Sequence, residues 1–460
     1  MRTILNSLLL LTVPILVQAQ PPDSLWSRTY GGSAADYASY VEQTADGGYL
    51  LAGGTYSFGL GSSDFWLLRA NSNGDSLWSR TYGGNSLESC FSAQLTSGSG
   101  CVLAGYTFSF GAGNADCWLV RTNADGDSLW SRTFGGASTD QGISVRQTSD
   151  NGYILGGQTL SFGAGNWDAW LVRTDADGDS LWSRTFGGGN VDACLSARQT
   201  TDVGYILAGY TISFGAGNED FWLVKTDSIG DSLWSQTFGG DSSDVCRSVR
   251  QTFDDGYILA GYTRSFGAGN EDFWLVRTDG DGDSLWSRTF GGGGSEFCLS
   301  IEQTADSGFV LIGQTNSFGA GDFDFWLLKT DSNGDSLWSR TFGGRAADRG
   351  RSVQQLSDGS YVLAGSAESI FSGEDDFWLV KTGRDCQLPL LPPEELVVWA
   401  DGDSLRLAWR PTPCATSYDV RWSPLPSGGV WSLLTSTSDT AAVDTMGVSA
   451  KRFYSLKATN

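Results

Sequence analysis

Carboxylates supply most of the chemistry this chain could offer. Two turns, 175–179 (DADGD) and 279–283 (DGDGD), set Asp175, Asp177 and Asp179, and Asp279, Asp281 and Asp283, at alternate positions. Alternating aspartates can ligate Ca2+ in loops where glycine follows at the sixth position. Here glycine stands fourth, and equivalent turns read NSNGD and DSIGD, so turn formation alone explains the same residues. Ca2+ is therefore the one cofactor these turns make a candidate. Another carboxylate, Asp36 and its equivalents Glu88, Asp140, Asp192, Asp244, Glu296 and Asp348, follows each Gly-Gly pair. Such a ring could hold a cation, but capping of the adjacent loop amides is needed in every copy and is the favoured reading. The same explanation is favoured for Asp64 and its equivalents. Histidine is absent, which removes Ser-His-Asp and Cys-His machinery and histidine-bound metals.

Positions that differ between copies point to binding. The residue before the loop serine is Tyr56, Phe108, Leu160, Ile212, Arg264, Asn316 or Glu368. The residue before the recurrent aspartate is Ser63, Ala115, Trp167, Glu219, Glu271, Phe323 or Asp375. Loops on a rigid scaffold are where recognition concentrates. Trp167, Phe323, Tyr56, Phe108 and Arg264 are the candidate ligand-binding residues, with Trp167 and Phe323 expected to be exposed. Neutral drift among tolerant loop sites explains the same variation.

The elements that must position these loops are set by a repeat. DSLW begins at Asp23, Asp75, Asp127, Asp179, Asp231, Asp283 and Asp335, a constant step of 52 residues. Each copy holds short aromatic-rich runs cut by Gly and Asp, a strand pattern rather than a helical one. In the third copy, 130–134, 143–147, 153–158 and 169–174 read as four strands. Four short strands per unit and seven units give an all-β, seven-bladed β-propeller over 23–383. The run 65–82 reads as a hairpin with a turn at 71–75, so a blade ends on the next DSLW strand. The N-terminal strand 25–30 then closes the last blade. Counting from that turn sets Trp66 opposite Arg80 as a cation–π pair, and Trp378 opposite Arg28 at the closure. Fourteen tryptophans at two fixed repeat positions are expected to pack blade against blade.

The pattern GDSLWSRTFGG…D…QT.D.GYILAGYT.SFGAG..D.WLV.TD resembles the propeller repeats of exported bacterial surface proteins, closest in blade style to kelch-like or quinoprotein-like propellers. The resemblance implies fold and leaves activity open. After a stiff linker at 384–393, the C-terminal part 394–460 resembles a fibronectin type III β-sandwich, carried by SYDVRWS, KRFYSLKAT, Trp409 and Tyr454. It is short for that family, and a final strand is missing. That resemblance implies a spacer or adhesion unit.

Residues 1–19 carry Arg2, an apolar stretch too short to span a bilayer, and a Val17-Gln18-Ala19 cleavage signature, so a signal peptide and a secreted chain, periplasmic or at the cell surface, are expected. With 29 basic against 52 acidic residues the net charge is −23. Such a surface repels phosphate backbones and anionic headgroups, so nucleic acid is a poor partner and no membrane insertion is expected. Of eight cysteines, Cys386 and Cys414 are the pair joined as a disulfide, and the blade cysteines are read as buried thiols. These features favour a monomeric, non-catalytic extracellular scaffold that binds a protein or glycan through its loops. A multivalent lectin is the alternative, and a hydrolase or quinoprotein-like oxidoreductase the weaker one.

Overall fold

The computed structural model describes residues 21–98, 100–368 and 374–385, together with the strands of the C-terminal part. β1 (Ser24–Tyr30) stands apart from the first blade, which contains β2 (Asp36–Gln43), β3 (Tyr49–Thr55), β4 (Asp64–Ala70) and β5 (Ser76–Tyr82) in antiparallel chain order. Five further sheets repeat that order, and a seventh takes Asp348–Gln355, Ser360–Glu368 and Asp375–Arg384, with β1 as its fourth strand. The result is an all-β, seven-bladed propeller, closed by the N-terminal strand as expected.

Burial explains why the strands read so differently. β3 (YLLAGGT) and β4 (DFWLLRA) are buried along their whole length, because each blade is covered on both faces by its neighbours. Their apolar runs are therefore nearly continuous. β5 (SLWSRTY), the outermost strand, alternates exposed and half-buried residues. The core lies between blades. Trp66 clusters with Leu356, Val362, Ala364 and Phe377 of the last blade. The Trp118 ring sits 4.7 Å from Phe65 of the preceding blade. The outer-strand tryptophans also reach across: Trp130 meets Tyr153 of the next blade edge-on at 5.8 Å.

The expected register is corrected by one residue. Trp66 faces Thr81 and Arg80 faces Leu67, while Ala70 faces Ser76. A β-bulge lies between the Arg69 and Ala70 pairs, so Leu77 is the extra residue, and its side chain is 58% exposed. The five-residue turn was counted correctly; the bulge shifts everything beyond it. At the closure the same bulge sets Trp378 opposite Thr29 and Arg28 opposite Leu379. The cross-strand cation–π pair is therefore replaced by one along the strand: the Arg80 guanidinium lies 5.4 Å from the Trp78 ring, two residues before it.

A buried cation on the third strand of a blade escaped sequence reading. Lys329, wholly buried, places Nζ 2.9 Å from Asp306 Oδ2 and donates to Thr330 O at 2.9 Å. Arg69–Asp46, Arg173–Asp150, Lys225–Asp202 and Arg277–Asp254 repeat the pairing. Each ties a turn to the base of its own blade.

In the C-terminal part, Glu394–Asp401, Ser404–Arg410 and Ala441–Asp444 form one three-stranded sheet, and Ser432–Thr437, Ser417–Ser423 and Phe453–Thr459 another. The expected signal segment 1–19, most of the expected linker, and Cys386 and Cys414, expected as a disulfide, lie outside the described residues. Cys90, Cys101, Cys117, Cys194, Cys246 and Cys298 are buried free thiols.

Candidate functional site

The variable loops gather on one face of the disc. The Tyr56 amide donates to Ala35 O at 3.0 Å within its blade, and Ser62 N donates to Ser86 O of the next at 2.7 Å. Parallel bridges Ser63–Leu87, Ala115–Thr139 and Glu271–Ser295 repeat the inter-blade link. The loops are thus fixed to a frame on both sides.

Carboxylates hold that frame from beneath. Asp36 Oδ2 accepts from Gly32 N at 2.9 Å and from the Ser57 hydroxyl at 2.8 Å. Asp116 Oδ2 accepts from Ala112 N and Gly113 N at 2.9 and 3.0 Å. The recurrent acids therefore cap loop amides, and Asp36 and Glu88 are fully buried. The first glycine of each pair makes room for them: a Cβ on Gly83 would fall 1.6 Å from Asp64 Oδ1. Burial pushes Asp64 and Asp348 up to about 6.

The aspartate turns sit elsewhere, beside the outer strands. Asp175 Oδ1 accepts from Asp177 N and Asp179 N at 3.0 and 2.8 Å, and Asp279 does the same for Asp281 and Asp283. Asp179 Oδ1 receives Arg132 Nε of the preceding blade at 3.0 Å, and Asp283 receives Gln236 at 3.3 Å. Among the described residues no three acidic or cysteine side chains converge as a metal set.

Of the candidate binding residues, Tyr56 and Phe108 are each 46% exposed. Trp167 and Phe323, expected to be exposed, are half-buried. Phe323 leans on Phe297 of its own blade, ring centres 6.1 Å apart. Arg264 pairs with Glu271, Nε to Oε1 at 2.7 Å, so two variable positions of one blade satisfy each other. Sequence reading passed over the phenylalanine of the SFG loop because it recurs. Phe58, Phe110, Phe162, Phe214, Phe266 and Phe318 nevertheless remain more than 40% exposed, each tilted on a buried tryptophan of its own blade; Phe110 and Trp118 are 5.4 Å apart. Gly59, with φ +98°, and Gly111, with φ +104°, turn the chain directly after two of these rings.

A second concave region follows the propeller axis. The innermost strands enclose a cavity of about 320 Å³. Six blades set a serine at one of its positions, where Tyr40 stands in the first blade. Several of these serines accept the amide of the next innermost strand, as Ser92 Oγ does from Val145 N at 3.2 Å and Ser144 Oγ from Ala197 N at 3.2 Å.

No family model matches the chain. It is 24% identical over 346 residues to the regulatory protein FlaEY of Caulobacter vibrioides, covering 68% of this chain and 34% of that protein. The chain thus spans about a third of that relative's length. Among solved structures, the WD40 domain of Neurospora crassa Pan2 superposes with a TM-score of 0.49 at 9% identity, covering 80% of this chain and 98% of that one. Sqt1 from Chaetomium thermophilum gives 0.44 at 12% identity, covering 84% and 96%.

Proposed function

We propose that this chain is an exported, non-catalytic interaction scaffold that binds an extracellular protein through its loop face. The observation that carries the reading is the set of recurrent half-exposed phenylalanines, one in each of six blades, beside Tyr56 and Phe108 at a variable position. Apolar rings held against a rigid frame offer contact area at little entropic cost, and aromatic side chains dominate the energetics of protein interfaces. The acidic surface favours a partner with a basic rim. The FnIII-like reading of the C-terminal part draws support from its two three-stranded sheets, and fits a spacer that holds the propeller away from an attachment point.

The test is cross-linking of the exported protein in its native envelope, with Phe110→Ser and Phe162→Ser together as the comparison. Partners captured by the native chain and lost from the double variant support the scaffold. A saturable, sugar-specific signal on a glycan array, abolished by the same substitutions, replaces it with the lectin.

A further inference from the structure

The repeat shows what the propeller requires at each position of its axial cavity. Four blades carry Glu42, Gln94, Glu302 or Gln354 at one such position. Each side-chain oxygen accepts the amide of the next innermost strand: Gln147 N donates to Gln94 Oε1 at 2.7 Å, Gln43 N to Gln354 Oε1 at 2.7 Å, Leu95 N to Glu42 Oε2 at 3.0 Å, and Gln355 N to Glu302 Oε2 at 3.0 Å. The architecture therefore uses an acceptor there. The three remaining blades, which are consecutive, carry Arg146, Arg198 and Arg250 instead. A guanidinium cannot accept a hydrogen bond, so these blades give up the staple.

Two more arginines, Arg247 and Arg351, line the same cavity three residues earlier in their blades, where four other blades place Phe91, Ile143, Leu195 and Leu299 and the first places Ser39. Five arginines, four half-buried and Arg247 exposed, thus face two glutamates in a protein of net charge −23. Among the described residues, only Arg146 Nη1 and Arg198 Nε of these five give hydrogen bonds, to Ser92, Ala93, Val145 and Val249. The glutamates neutralise them incompletely. Glu42 already takes the Tyr40 hydroxyl as well as the Leu95 amide. Glu302 approaches Arg250 only to 3.8 Å. Arg250 Nη1 and Arg351 Nε are buried without a hydrogen-bond partner. Burial pulls the Arg250 guanidinium down to about 10, against the opposing pull of Glu302, so it stays charged at neutral pH. Unpaired buried charge is costly, and donors left open in a cavity are what an anion satisfies.

We infer that the axial cavity is a binding site for a small, multiply charged oxyanion, a polycarboxylate or a phosphate compound. One anionic group lies against Arg146, Arg198 and Arg250. A second lies toward Arg351 and Arg247. The ring of serines two residues before Arg146, Arg198 and Arg250 lies between the two levels, and Phe91 and its apolar equivalents flank the second group. Guanidinium forks suit both carboxylate and phosphate oxygens, and the site is independent of the loop face.

The experiment is calorimetric titration of the full chain with citrate and with pyrophosphate at constant ionic strength. The variants are Arg198→Gln and Arg250→Gln, which install the residue that the second and seventh blades already use, and Arg351→Leu, the sixth blade's residue. Saturable binding of at least one probe is expected, weakened about tenfold or more by each glutamine substitution, in keeping with loss of a charge-assisted hydrogen bond. Citrate binding alone assigns a carboxylate ligand, and pyrophosphate binding alone a phosphate one. The glutamine variants should melt no lower than the native chain. Absence of binding by both probes, unchanged binding in the variants, or clear destabilisation by Arg250→Gln would each overturn the inference, the last by making the arginines structural.

Discussion

At the residue scale, recurrence and burial separate packing from recognition. Trp118 is 5% exposed and wedged against the preceding blade. Trp118→Ala should cost about 3–5 kcal/mol in chemical denaturation, the usual penalty for emptying a buried aromatic site. Trp167 is half-buried, so Trp167→Ala should cost an intermediate amount, about 1–2 kcal/mol. Equal losses in the two variants would make Trp167 core and end its candidacy. The aspartate turns yield a prediction of their own. Asp175 and Asp279 are already engaged by amides of their own turns. Chelation should therefore leave the melting temperature unchanged, whereas a rise of about ten degrees with Ca2+ would reveal a site that folded-state binding stabilises.

At the scale of the element, the outer strand and its bulge decide what could be foreseen. Turn position, strand order and the N-terminal closure were legible because Gly, Asp and Asn punctuate each copy at constant spacing. The register was not, because a bulge is set by pairing geometry, and nothing in Ser76-Leu77-Trp78 announces it. Loop-face aromatics were only partly legible: variation between copies marks Tyr56 and Phe108, whereas the Phe110 position is phenylalanine in six copies and so resembles a packing position. The axial arginines escaped for a related reason. The series Glu, Gln, Arg, Arg, Arg, Glu, Gln is plain in the aligned copies, but it lies within a strand, where variation between copies does not by itself signal binding. A test of the inter-blade staple belongs here. Gln94→Leu leaves the Gln147 amide without its acceptor and should lower stability by about 1–3 kcal/mol. Slower amide exchange at Gln147 in that variant would contradict the assignment.

For the whole molecule, opposed titrations set a pH optimum. Asp46, held by the Thr44 hydroxyl and by Arg69, titrates at about 2 against an ordinary value of 3.8. Its contribution is complete above the ordinary value and is lost as pH falls toward 2. Against the penalty of its own burial, Asp306 is likewise held low by Thr304 and Lys329. Asp64 and Asp348, raised by burial to about 6, work in the opposite sense. Ionising them weakens the fold, so stability recovers as pH falls from 6 toward 3.8. Thermal unfolding should therefore show its maximum between about pH 4 and pH 6, with decline on both sides. A melting temperature that rises steadily to neutral pH would show that the buried carboxylates do not govern the balance.

The closing strand also imposes an order of events. Every other blade is made of neighbouring hairpins, whereas Ser24 must wait for Thr382. The strand that opens the propeller in sequence is thus the last to find its partner, and the ring stays open until nearly the whole propeller is available. Contacts so distant in sequence form slowly, because a long loop must close before any pairing rewards it. The disc cannot lock before its last blade is available to the strand that clasps it.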